Sequence, residues 1–192
     1  MQLLAISRRA IDGSLTILGD VAQATGPVVY RRWQELQPYL PDEAELEIEE
    51  LRHAYRVPAE IMDFALPLLD RIAPEVEPPL AYRKGGDAPR LVQVGEEELL
   101  ERALREALAL EDLDGLLAVI VPRSFAVDDS FPFPILTPRQ AKGLEFDHVV
   151  VVEPAAVADD GDRGLRELYV ALTRPTKTLV VVHARPLPDG LG

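Results

Sequence analysis

LTPRQAKGLEFDHVVVVEP, residues 136–154, decides how this chain is read. Its second half, HVVVVE, is apolar at consecutive positions, so both faces of the strand it predicts are buried. Its first half places Lys142, Gly143, Glu145 and Asp147 at the mouth of that strand. Charge and a glycine beside a buried strand need a reason. Either they serve a ligand, or Thr137 caps a short helix while Lys142 and Glu145 form a surface ion pair.

Strands of the same kind recur on either side. LLAVIVP precedes the stretch and KTLVVVHA follows it; SLTILGD (14–20) and PRLVQV read as two more strands, and PFPIL as a short one. ELEIEEL alternates apolar and acidic residues, the mark of a half-exposed strand. VPAEIMDFALPLLDRIA carries Ile61, Phe64, Ala65, Leu68, Leu69 and Ile72 at helical spacing, with Pro67 placed to kink it. EEELLERALREALAL is an amphipathic helix with acid at its start. VVYRRWQELQPYL reads as a short helix, LRELYVALTR as a longer one ended by Pro175, ADDGDRG as a loop, and RPLPDGLG as an unstructured tail. Strands alternating with helices predict an α/β fold, a parallel sheet with helices on both faces. Ligands in such sheets sit at the carboxyl ends of strands, which is where Gly19, Asp20 and Gln23 are expected.

Composition narrows the function. The chain has 192 residues, 47% hydrophobic and 28% charged, enough to build a core of ordinary size. It has no cysteine, which excludes disulfides and thiolate chemistry and suits a cytoplasmic location. No apolar run reaches the roughly 18 residues of a membrane helix. The formal net charge of −13 argues against a chain that grips phosphate backbones by bulk charge. His53, His148 and His183 stand singly, without ligand spacing, so no metal site is expected.

Four stretches in one order resemble a known family. LTILGDVAQATGP is similar to motif III of the UvrD/Rep-like superfamily-one helicases, LRHAYRVPAEIMDFALPLL to motif IV, TPRQAKGLEFDHVVVVEP to motif V, and LRELYVALTRPTKTLVVV to motif VI. The wording GDVAQATGP, YRVPAEIMDFA and TPRQAKGLEFD resembles most the HelD-like branch, ATPases associated with RNA polymerase. The resemblance implies a second RecA-like domain over 41–185, preceded by a remnant of the first over 1–40 and followed by a flexible tail, 186–192. No phosphate-binding loop GxxxxGK[ST] occurs, and the magnesium-binding acidic motif is expected just upstream of Met1. Met1 is thus expected to be internal to a longer enzyme. The large helical insertion of unwinding relatives has no room between Arg56 and Lys142.

The resemblance also assigns roles. Arg56 and Arg174 are implied to reach the γ-phosphate of ATP, and Gln23 to sense it. Asp20, Tyr55, Gly143 and Glu145 are implied to bind the nucleotide: Tyr55 stacks on adenine, Gly143 admits close approach, and Glu145 accepts from the ribose. Thr137 and Lys142 are implied to lie near a nucleic-acid track, although Pro138 departs from the pattern of the relatives that unwind DNA. ATP is implied with Mg2+, whose ligands lie outside this chain. The implied partners are the missing N-terminal RecA-like domain, RNA polymerase and DNA, with no membrane. By itself the chain is expected to be inactive as an ATPase. Trp33 is expected to pack rather than stack on a base, and Arg31 and Arg32 to face solvent. The competing readings are a non-catalytic protein-binding module, favoured by the acidic balance, and a truncated fragment without activity.

Overall fold

The computed structural model describes residues 7, 9, 14–26, 30–40, 47–125 and 130–191. Five strands form one parallel sheet: β3 (Arg90–Gln93), β4 (Leu117–Ile120), β5 (Ile135–Leu136), β6 (Phe146–Val152) and β7 (Pro175–His183), in the order β3-β7-β6-β4-β5. A separate parallel pair joins β1 (His53–Ala54) to β2 (Leu80–Ala81). Along β6, Val149 and Val151 face one core and Val150 and Val152 the other; Leu179 and Val181 alternate with Val180 and Val182 along β7. Both faces therefore need cover.

Helix α1 (Ala59–Ile72) and helix α5 (Gly161–Leu172) supply it on one face, and α2 (Leu99–Glu111) on the other. Helix α1 runs through Pro67 as one element and buries Ile61, Ala65, Leu68, Leu69 and Ile72. Two short helices complete the frame, α3 (Pro138–Ala141) and α4 (Pro154–Ala158). Among the described residues no helix is long and apolar enough to cross a membrane.

Several expectations are corrected. SLTILGD is not a strand: residues 14–20 have no regular structure, and Leu18 is 86% exposed. A strand requires a hydrogen-bonded neighbour, and no described residue pairs with this run. The described part of ELEIEEL, 47–51, is likewise irregular and largely exposed; Glu45 and Leu46 lie outside the described residues. The described part of VVYRRWQELQPYL winds only a 3-10 helix, Trp33–Tyr39. In ADDGDRG only Asp159 and Asp160 separate two helices, and α5 already begins at Gly161. The described part of the tail, 185–191, has no regular structure, yet Leu191 is 5% exposed in the core beside α1, and Gly190 packs on Pro67.

Asp147 clips the amino ends of three strands. Its carboxylate accepts from the Leu116 N–H at 2.9 Å and the Thr176 hydroxyl at 3.2 Å, and pairs with Lys177 at 3.1 Å. The Leu116 N–H, then Lys177 and Thr176, hold this carboxyl below its ordinary value. A depressed carboxylate contributes stability above the unfolded value near 4 and loses it as pH falls through the lower folded value. Asp147→Asn is therefore expected to cost roughly 1 kcal/mol at neutral pH. The difference should shrink toward about pH 3, as urea denaturation at both pH values would read.

Candidate functional site

The amino ends of β6 and β7 are neighbours, since Phe146 pairs with Pro175 and its N–H donates to the Arg174 carbonyl at 3.2 Å. Two loops therefore reach the sheet edge side by side, one ending in Leu144 and Glu145, the other in Thr173 and Arg174. Arg174 is buried there. Its Nε–H donates to the Val170 carbonyl at 2.9 Å and Nη1 to the Leu144 carbonyl at 3.1 Å, so α5 and the motif V loop aim its guanidinium together.

Gln23 comes to this arginine from far away in the chain. Asp20 accepts from the Ala22 N–H at 2.8 Å through one oxygen and from Gln23 Nε2 at 2.6 Å through the other. That second bond orients the amide, leaving Oε1 to accept from Arg174 Nη2 at 3.3 Å. Lys142 donates to the Gln23 carbonyl at 2.7 Å. Arg56 pairs with Glu145. Arg83 Nη1 holds the Arg56 backbone, donating to the carbonyls of Arg56 at 3.1 Å and Thr176 at 2.9 Å. Asp20, Gln23, Arg56, Lys142, Glu145 and Arg174 thus gather from four separate segments at one edge.

The electrostatics of this cluster are unbalanced. Burial lowers the Arg174 guanidinium from its ordinary value, and the nearby positive charge of Arg56 lowers it further. Arg56 itself is 66% exposed. Two guanidinium groups that repel each other, one buried and one reaching solvent, would both gain from an anion placed between them.

The other proposed residues fall differently. Tyr55 is 62% exposed and sits in an aromatic row, 6.0 Å from His53 and 5.5 Å from Tyr82 between ring centroids. Gly143 takes φ +82° with no atom within 4 Å of a would-be Cβ, so the left-handed backbone, not close approach within the fold, explains the glycine. Thr137 caps α3, its hydroxyl accepting from the Gln140 N–H at 3.4 Å. It follows Leu136, which pairs with the last residue of β4, so it lies toward the opposite edge from Lys142. The alternative reading, an ion pair between Lys142 and Glu145, is not what forms; each side chain instead binds a distant segment. Trp33 packs against Gly19 and the core, while Arg31 and Arg32 are exposed and pair with Asp162 at 2.6 Å and Glu75 at 3.5 Å.

The cluster's location is a further correction. Asp20 and Gln23 meet the amino ends of β6 and β7, not the carboxyl ends of strands, because 14–20 lies outside the sheet. At the carboxyl edge a shallow cavity lies between Pro122, Arg123, Pro138, Ala156 and Glu167. Among the described residues no group of three or more His, Asp or Glu side chains is placed to hold a metal ion. Sequence reasoning missed Arg83 and Arg166. The available signal was a charge at Arg166, three residues before Tyr169 and four before Val170, and so on the same helix face as both.

Fold and cluster define a doubly covered parallel α/β domain with cations gathered at the amino edge. Within it, residues 132–182 match the family model of the UvrD-like helicase C-terminal domain. That segment holds Lys142, Glu145 and Arg174, while Gln23, Tyr55 and Arg56 lie outside it. The fold resembles the crystal structure of the C-terminal domain of a possible DNA helicase from Lactobacillus plantarum WCFS1. The TM-score is 0.53 at 18% identity, over 72% of this chain and 92% of that one. No curated protein matches the chain.

Proposed function

We propose that this chain supplies one wall of an ATP site in a UvrD-like helicase or translocase, the wall that clamps the terminal phosphates. The observation that carries it is the convergence of Gln23, Arg56 and Arg174 at one edge. The residues present fit a polyanion: Arg174 is aimed and buried, Arg56 is exposed beside it, and Gln23 is already oriented. ATP, when bound with Mg2+, supplies a phosphoryl group whose developing negative charge needs cations around it. Arg174 and Arg56 bring those cations, and their planar forks suit phosphate oxygens. Gln23 reports the phosphate through an amide that exchanges one acceptor contact for another. Glu145 is released from Arg56 and becomes free to accept from a ribose hydroxyl. Tyr55 offers an exposed ring for stacking on the base.

In this reading the phosphate loop and the Mg2+ ligands come from a preceding RecA-like domain. Residues up to about 40 are its last part, and 41–185 form the second such domain. Placement in the HelD-like branch, with RNA polymerase as partner, rests on the wording of GDVAQATGP, YRVPAEIMDFA and TPRQAKGLEFD.

Half a site should bind its ligand weakly. Tripolyphosphate and MgATP are expected to bind the chain with Kd on the order of 1 mM. Arg56→Ala should weaken both roughly tenfold, the worth of a charge-assisted contact. Isothermal titration of the two proteins would measure this. Equal affinities, or no saturable binding in the millimolar range, would remove Arg56 from the site and favour a protein-binding module.

A further inference from the structure

We propose that Arg166 is a positioning residue that locks Gln23 against Arg174. The inference rests on the phosphate-site reading for its meaning, but its geometry stands without any nucleotide. Arg166 lies in the middle of α5 and is 0% exposed. Its two terminal amines donate to the carbonyls of Val21 and Ile72. Among the described residues no carboxylate lies within ion-pair distance of it, and its Nε has no partner.

That is an expensive arrangement. Burial pushes the guanidinium below the ordinary arginine value. A buried charge without a carboxylate is harder to accommodate than an apolar side chain of equal volume, so packing alone does not explain it. What an apolar residue cannot do is join two carbonyls with one rigid fork. One of these carbonyls ends α1. The other, on Val21, also accepts from the Ala24 N–H at 3.2 Å, closing the turn that holds Gln23. Val21 and Ala22 are buried, whereas Asp20 and Leu18 are exposed, so the segment is pinned at this turn. Arg166 lies within α5, and Arg174 directly follows that helix's C-cap, Thr173. The helix is therefore the ruler that sets Gln23 Oε1 opposite Arg174 Nη2. Arg31 and Asp162, paired at 2.6 Å, hold the following segment to the start of the same helix.

The test reads the Gln23 side-chain amide and the Arg174 Nε–H resonances by NMR, without ligand, in Arg166→Met and Arg166→Lys. Leu110→Ala, a core deletion on the opposite face of the sheet, controls for lost stability. With the strand amides unmoved, Arg166→Met is expected to shift both side-chain resonances, and Arg166→Lys to shift them less, since an ammonium spans only one carbonyl well. Leu110→Ala should leave both in place. Unmoved resonances in folded Arg166→Met, or equal movement in Leu110→Ala, overturn the proposal. If neither Arg166 variant folds, hydrogen exchange of the unaltered protein decides. An Ala24 amide as protected as those of β6 supports the lock, and one exchanging orders of magnitude faster overturns it.

Discussion

Arg174→Lys is expected to remove ATP turnover almost completely in an enzyme that joins this domain to a phosphate-loop domain. A cation of this kind is worth about 10^3-fold or more in phosphoryl transfer. Lysine keeps the charge but loses the fork. Arg174 uses separate nitrogens for Val170, Leu144 and Gln23, and one ammonium cannot hold three such directions and a phosphate oxygen. The same contacts give the residue a structural part, so Arg174→Ala should also lower stability by roughly 1–3 kcal/mol. The lysine variant separates the two effects. Steady-state turnover beside a urea denaturation curve is the measurement, and near-normal turnover of Arg174→Lys would take the residue out of the phosphate site.

Gly164→Ala is expected to be the most damaging single-methyl change in the fold. Gly164 lies inside α5, where a Cβ would stand 2.3 Å from the Val157 carbonyl oxygen and 3.0 Å from the Ala158 carbonyl carbon. Both are backbone atoms of α4, so no side-chain rotation relieves the clash. In an exposed helix alanine would be favoured over glycine by about 1 kcal/mol. Here α4 and α5 must separate instead, and roughly 3 kcal/mol should be lost. A lowered urea midpoint with an unchanged slope would show it. A stability equal to that of the unaltered protein would mean that α4 can move aside freely.

Two valine-rich strands made the fold legible. Consecutive apolar residues in β6 and β7 demanded cover on both faces, and the periodic α1 and α2 provide much of it. Ser14–Asp20 is nearly as apolar, yet it forms no strand, because hydrophobicity does not say whether a neighbouring strand exists. That misreading also put Gln23 at the wrong edge of the sheet. The six clustered residues carry motif-like spacing along the chain, but the pairing of Arg56 with Glu145 and of Lys142 with the Gln23 carbonyl links segments far apart in sequence. Gly143 takes a left-handed backbone at the end of α3, a demand that the sequence alone does not reveal. Arg166 was not legible because an arginine in a helix ordinarily faces water.

On the proposed function the triphosphate sits at the amino edge of the sheet. A crystal structure of the chain with a non-hydrolysable ATP analogue and Mg2+ would locate it. Terminal phosphate oxygens are expected within hydrogen-bond distance of both Arg56 and Arg174, with Glu145 parted from Arg56 and Gln23 turned toward the phosphate. A nucleotide bound instead at the carboxyl edge, between Arg123 and Pro138, would contradict this placement.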